Sequence, residues 1–389
     1  MQHSTDRILV THAGSLPRPD DLIALNREQS GSQAAATRLR AAVADVVEKQ
    51  IELGVDIVND GEYGKPTTDP VDYGAWAMYV HERLSGFERR AVSMPDALKE
   101  VMGDSRDRRD FPGFYAQAAA ARSARGSQPI EVAINVAPIR YTGQALVQRD
   151  IANFKAALAN VRPADAFLSA IVTGVQFSAS EHYRSKEHEA VAVAEAMREE
   201  YATITNAGLN LQLDDPLLVN VYEFQYSVNR DIAGFRNWAA RHVELVNHAL
   251  EGIPEERVRY HLCWGSWEGP HSADLPLKAV VDILLRVRAS QYSFEAANPQ
   301  HEHEWQDWKN VKLPPGRALI PGVVTHKTTV LEHPETVAQR LVRYAEIVGK
   351  ENVIAGTDCG LGGRIHAEIA WAKLKALADG AALASRRLW

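Results

Sequence analysis

Nine short runs rich in apolar residues are separated by longer segments of helical periodicity, and alternation of that kind specifies βα units laid on a parallel sheet. The runs are Ile8 to Ala13, Asp56 to Asp60, Glu131 to Val136, Phe167 to Thr173, Asn210 to Asp214, Val258 to Cys263, Tyr292 to Ala296, Leu319 to Val324 and Val353 to Thr357. Helical periodicity marks Ala34 to Leu53, Glu187 to Ala207, Asp231 to Leu250, Pro334 to Val348 and Ile365 to Asp379. Gly54, Gly208, Gly252 and Gly349 stand where helices must stop, in positions that suit a left-handed C-cap. An eightfold barrel uses eight strands, so one run is surplus. Phe167 to Thr173 is the weakest, because it flows into the polar FSASEHYRS without a clean turn. The expected fold is a (β/α)8 TIM barrel made by one domain over residues 1–389, with insertions at about 79–129 and 161–186. Within the first insertion no strand pattern is visible, and DSRDRRD reads as a solvated, self-paired charge run. Loops of that length in a barrel serve as lids, binding elements or partner surfaces.

Charge narrows the partners. With 43 basic and 50 acidic residues the net charge is −7, which offers no basic surface for a nucleic-acid backbone or an anionic membrane. No run of about 20 apolar residues exists to span a bilayer. The polar stretch Met1 to Arg7 lacks the apolar core of a secretory signal, so a cytoplasmic location and a small-molecule substrate are expected. Two cysteines, Cys263 and Cys359, are too few for a disulfide scaffold and are expected as thiols.

Barrel enzymes assemble their sites from the C-terminal ends of several strands. Here those ends read His12-Ala13-Gly14-Ser15, Asp60-Gly61-Glu62, Asp214-Asp215-Pro216, His261-Leu262-Cys263, Phe294-Glu295, Thr325-His326-Lys327 and Asp358-Cys359-Gly360. His261 and Cys263 are two apart on one strand, so both side chains face the same way and can reach one ion. Closure of a barrel lets Glu295 and Cys359 complete a His, Cys, Glu, Cys set of donors suited to zinc. Singly, a buried cysteine is usually a small hydrophobe and a strand-end glutamate a salt-bridge partner. Jointly, both cysteines of the chain and an H-x-C pair at strand ends favour a Zn2+ site. An alternative set would use His301 and His303 of HEHEW, but it lies beyond the strand and leaves the cysteines unexplained. Zinc bearing two thiolates suits activation of an incoming thiol for attack on an alkyl carbon more than hydrolysis. A zinc hydrolase, and a metal-storage or folate-scavenging protein, are the readings from other classes. Trp264, Trp267, Trp305 and Trp308 cluster around the ligand segments and could wall a pocket for an alkyl donor, although core or rim packing explains at least half of them.

Seven segments, THAGSLPRP (11–19), DIVNDGEYGKP (56–66), LQLDDP (211–216), RYHLCWGSW (259–267), SFEAANP (293–299), PGVVTHKT (321–328) and GTDCGLGGR (356–364), resemble in order and register the catalytic C-terminal barrel of the cobalamin-independent methionine synthases. The resemblance implies a zinc ion on His261, Cys263, Glu295 and Cys359, a thiol acceptor, and methyltetrahydrofolate as alkyl donor. It implies that an amino-acid substrate is held by Ser15, Glu62 and Asp214. The family's catalytic histidine aligns on Lys327 with His326 one position earlier, so His326 is the first choice for a general acid and Lys327 the second. Ala137-Pro138-Ile139-Arg140-Tyr141 stands where the synthases show G-P-x-T followed by a tryptophan, and their long N-terminal half has no counterpart here. Single-barrel relatives include the epoxyalkane:coenzyme M transferases, in which a zinc-bound thiolate opens an epoxide. The implied activity is methyl transfer to homocysteine or a similar thiol, with epoxide opening by a thiol as the alternative. A homo-oligomer is left open.

Overall fold

The computed structural model describes residues 1–65, 67, 74–92, 105–124, 130–172 and 180–389. Pro66, Thr173 and most of the SARGSQ segment lie outside the described residues. The strands, in chain order, are β1 (Leu9–Val10), β2 (Ile57–Val58), β3 (Leu84–Val92), β4 (Ile130–Tyr141), β5 (Asp165–Ile171), β6 (Asn210–Asp215), β7 (Val258–Leu262), β8 (Gln291–Glu295), β9 (Ala318–Val324) and β10 (Ile354–Thr357).

Eight of these form a sheet in the order β1-β10-β9-β8-β7-β6-β5-β2, with every neighbouring pair parallel. Its two ends meet. The Asp56 N–H donates to Val10 O at 2.9 Å and the Thr11 hydroxyl to Ile57 O at 3.0 Å, which draws β1 and β2 into a near-closed barrel. The expected barrel is therefore present, but the strand outside it is the run from Glu131 and not the run from Phe167. Asp165–Ile171 is a full member of the barrel, paired on both sides, so the segment expected as an insertion from 161 to 186 opens with a barrel strand. Glu131 to Val136 belongs instead to β4, which pairs antiparallel with β3 in a separate two-stranded sheet. The stretch from 79 to 129, read as strandless, thus contains β3.

Side-chain parity explains where the chemistry sits. Leu9, Ile57, Phe167, Ala318, Ile320 and Ile354 form their own buried cluster, distinct from the main core of outward strand residues and helix faces. This is a packed layer inside the barrel, as expected where alternate residues of each strand point inward. Arg259 lies over the Phe167 ring at 3.9 Å and donates to Thr11 Oγ1 and His12 O. Two residues further along β7 the same face carries His261, opposite Asp214 on β6 and Ser293 on β8. Two more bring Cys263 and Glu295 to the rim. Gly54, Gly208, Gly252 and Gly349 all adopt positive φ, so the helix stops fall where the sequence placed them. No described helix is long and apolar enough to cross a membrane.

Candidate metal centre

His261, Cys263 and Cys359 converge, with one donor atom from each lying within 4.8 Å of the others. The two sulfurs are 3.7 Å apart, far beyond a disulfide bond and close enough for one thiol to share its proton with the other. The imidazole is oriented from behind, since His261 Nδ1 lies 3.0 Å from Ser293 Oγ. Its Nε2 is buried and has no hydrogen-bond partner among the described residues. The hydrogen bond with Cys263, and then the neighbouring His261 imidazole, outweigh burial and hold the Cys359 thiol well below its ordinary range, while Cys263 is pushed up. One thiolate is thus already favoured in the protein alone. A buried ring nitrogen lacking a partner, aimed at two sulfurs, fits a soft cation better than a packed core. Zinc–sulfur bonds of about 2.3 Å at the tetrahedral angle separate two sulfurs by about 3.8 Å, close to the spacing seen.

Glu295 sits beside this trio and in a second buried group with His326 and Asp358. Its Oε1 accepts from the Trp264 N–H at 2.9 Å, one residue past Cys263, and its Oε2 from Asn298 Nδ2 at 2.8 Å. Burial raises this carboxyl to about 8. Asp358 was not singled out from the sequence as a contributor, although it adjoins Cys359. Its Oδ1 accepts from the Ala296 and Ala297 N–H groups, and its Oδ2 is buried with no hydrogen-bond partner among the described residues. Gly322 makes room for it: a Cβ there would lie 2.4 Å from the Asp358 Cα.

His326 is 4% exposed, and neither ring nitrogen has a hydrogen-bond partner among the described residues. Burial pushes it down to about 3, so it is a neutral imidazole in the protein as it stands. Lys327 turns elsewhere. Its Nζ donates to Gly265 O at 2.7 Å and approaches His271 Nε2 at 3.0 Å.

The expected substrate shell lies against the same centre. Ser15 is pinned to the Cys359 loop by the N–H groups of Leu361 and Gly362, which donate to its carbonyl. Glu62 takes a left-handed φ of 60°, uncommon for this residue type and often found where a site stores strain. Its carboxylate fills the space a Cβ at Gly14 would need, 2.3 Å from Oε1. Lys65, which no motif singles out, lies with its Nζ 3.4 Å from Glu62 Oε2 in a buried pair. Asp214 Oδ1 accepts from Gln212 Nε2 at 2.6 Å while Oδ2 is buried with no hydrogen-bond partner among the described residues. Burial, then the Glu62 charge, raises Asp214 to about 8. Two crowded carboxyls, one with an orphaned oxygen, are suited to receive a cation.

The alternative ligand pair does not assemble. His301 is clamped between Asp274 (3.1 Å) and Glu304 (2.8 Å); burial alone would lower it, but these two carboxylates raise it to about 10, and a protonated imidazole cannot ligate. His303 is exposed. Of the four tryptophans, Trp264 and Trp308 are buried core, the former against His301 and the latter against Phe294. Trp305 packs beneath Lys309 and Arg343. Trp267 alone is folded onto the Cys263 loop, its ring occupying the space a Cβ at Gly265 would take.

The profile of the family described as "Cobalamin-independent synthase, Catalytic domain" matches residues 111–383. The 2-hydroxypropyl-CoM lyase of Xanthobacter autotrophicus is 25% identical over 375 residues, covering 88% of this chain and 84% of that protein. A methionine synthase of Saccharolobus solfataricus is 23% identical and covers 95% and 92%. A 5-methyltetrahydropteroyltriglutamate–homocysteine methyltransferase of Rhodococcus jostii is 27% identical over 90% of this chain, which spans 39% of that longer protein. Among solved structures, a B12-independent methionine synthase from Shewanella, determined with selenomethionine, superposes with a TM-score of 0.72 at 19% identity, covering 98% of this chain and 99% of that one. That likeness establishes the shared fold.

Proposed function

The chain belongs to the family of cobalamin-independent synthase catalytic domains, and on that footing we propose that it is a zinc-dependent alkyltransferase that alkylates the sulfur of a small thiol. The observation that carries the reading is the convergence of His261 with the sulfurs of Cys263 and Cys359, His261 Nε2 being buried with no hydrogen-bond partner among the described residues. His261, Cys263 and Cys359 would hold the ion, with Glu295 beside them as the fourth and hardest donor. Zinc held there lowers the proton affinity of a bound thiol, so that a nucleophilic thiolate persists at neutral pH. Two sulfur donors blunt Lewis acidity, which argues against a hydrolase on the same barrel.

The chain's own residues bind and orient the acceptor. Glu62 and, once deprotonated, Asp214 would pair with an ammonium, and the turn at Ser15 would receive the acceptor's other end. An amino-acid thiol such as homocysteine matches that charge pattern, and methyl transfer to it is the first reading. His326, buried and with no hydrogen-bond partner on either ring nitrogen among the described residues, would exchange a proton with the departing group. Epoxide opening by a thiol is the second reading, favoured by the similarity to the Xanthobacter lyase over most of both chains. There the same imidazole, once protonated, would neutralise the new alkoxide. The test is product analysis by mass spectrometry. Zinc-loaded protein is supplied with homocysteine or coenzyme M, each with methyltetrahydrofolate or propylene oxide. S-methylated homocysteine supports the first reading and an S-hydroxypropyl thiol the second. Hydrolytic turnover without thiol, or zinc binding with no alkylated product from any pair, overturns both.

A further inference from the structure

The geometry points to Asp107, in the insertion outside the barrel, as a positioning residue of the active site that fixes the loop following Cys263. The charge run containing it was expected to be solvated. Arg106 and Asp110 do pair on the surface at 3.2 Å, but Asp107 between them is 1% exposed. Its Oδ2 accepts from the His271 N–H at 3.0 Å and the Tyr115 hydroxyl at 3.1 Å. Its Oδ1 accepts from the Ser272 N–H at 3.0 Å and the Ser272 hydroxyl at 2.5 Å. A buried carboxylate with four donors is among the strongest local anchors a protein can build. The anchor's own backbone is tied to the segment after β6, through Asp107 N to Glu223 Oε1 and Arg106 N to Ser227 Oγ.

The held residue is conformationally expensive. His271 has φ of 52°, a left-handed backbone that a residue with a side chain adopts only where its surroundings impose it. Bonding of its N–H by Asp107 is that imposition. From this backbone the imidazole is fully committed. Nδ1 lies 3.0 Å from Asp274 Oδ2, Nε2 lies between Lys327 Nζ at 3.0 Å and Trp267 O at 3.1 Å, and the ring stacks on Trp267 at 4.3 Å. Lys327 in turn donates to Gly265 O, two residues beyond Cys263. One carboxylate outside the barrel thus sets the rotamer of Trp267, the place of the Lys327 ammonium and the path of the loop leaving Cys263. This role rests on the proposed site but not on which thiol or donor it takes.

Hydrogen exchange read by mass spectrometry on the full chain tests it without substrate. In Asp107→Asn, exchange across residues 264–275 is expected to quicken at least tenfold while β6 stays as protected as in the unaltered protein. Zinc content is expected to be unchanged, and kcat for thiol alkylation to fall about 10- to 100-fold with a smaller change in KM. Ser272→Ala and Tyr115→Phe each remove one bond to the same carboxylate and are expected to loosen the same segment less; they carry the test if Asp107→Asn fails to fold. Unchanged exchange in 264–275, or loosening with unaltered kcat, overturns the assignment. Absence of thiol alkylation in the unaltered protein would bear on the proposed function and leave the exchange result standing.

Discussion

Replacing Cys359 with serine tests the centre most directly. Serine is nearly isosteric, and Cys359 is only partly buried, so the fold is expected to hold and thermal unfolding of the metal-free protein to shift little. The change removes one of two sulfurs that lie 3.7 Å apart, a spacing matched to one tetrahedral ion. It also removes the thiolate toward which His261 and Cys263 are polarised. If four donors share a zinc-binding free energy of about 10–16 kcal/mol, each carries about 3 kcal/mol, or about two orders of magnitude in Kd. Chelator competition with a chromogenic indicator, backed by metal analysis of the purified protein, reads that difference. Because zinc binds the native state alone, the unaltered protein is expected to gain about 4 kcal/mol of stability at a thousandfold excess over Kd, and the variant less at equal zinc. A Cys359→Ser protein that folds and keeps unaltered zinc affinity would refute the ligand set. So would an unaltered protein whose two thiols react with a disulfide reagent at the same rate before and after zinc is added.

Gly14→Ala would put a Cβ 2.3 Å from Glu62 Oε1. That atom ends a flexible side chain, so the stability cost is set by the φ of 131° and is expected at about 1–3 kcal/mol, whereas affinity for an amino-acid thiol is expected to drop at least tenfold by calorimetry. Equal affinity would remove Glu62 from recognition. Asp214 is raised to about 8, so binding of a substrate ammonium is expected to tighten as pH rises through 8, and Asp214→Asn to abolish that dependence. A sloping profile in the asparagine variant would sink the idea. His301, raised to about 10 by Asp274 and Glu304 against burial, contributes stability that is complete below its unfolded pKa of about 6.5 and lost as pH rises through about 10. His301→Gln is expected to cost about 3 kcal/mol near pH 6.5 and much less above pH 10, measured by urea unfolding. A cost independent of pH would contradict the buried triad.

How far the sequence reached depended on whether a property was local or topological. His261 and Cys263 were legible because period-two parity on one strand is a local fact that closure of the sheet does not alter. Cys359, Glu295 and His326 needed the barrel to close, but each ends a strand whose pattern is unambiguous, so their meeting followed from the fold class. Strand membership was harder. Phe167 to Ile171 and Glu131 to Val136 carry the same apolar rhythm, and only tertiary pairing distinguishes the barrel strand from the outer hairpin. The partner of that hairpin, Leu84–Val92, reads LSGFERRAV, too charged to announce a strand, because its exposed face needs no apolar residues.

Asp107 marks the deeper boundary. In the sequence it sits among arginines and aspartates, and such runs ordinarily remain in water with their charges paired along the helix. Nothing in DSRDRRD distinguishes Asp107 from Asp110 except that one faces the barrel. The information lies in the partners: the backbone N–H groups of His271 and Ser272 are freed by a left-handed turn more than 160 residues away. A donor pair created by a strained backbone has no side-chain signature, so composition and periodicity cannot reveal it. The consequence for function is that the ligands of the centre are written in strand-end motifs, while the groups that aim the surrounding loop are supplied by segments whose sequence looks like solvent-facing filler. Variation among relatives in residues 105–124 is therefore expected to alter which donor is accepted before it alters metal binding, since those residues bear on the site through the loop that carries His271 and Trp267.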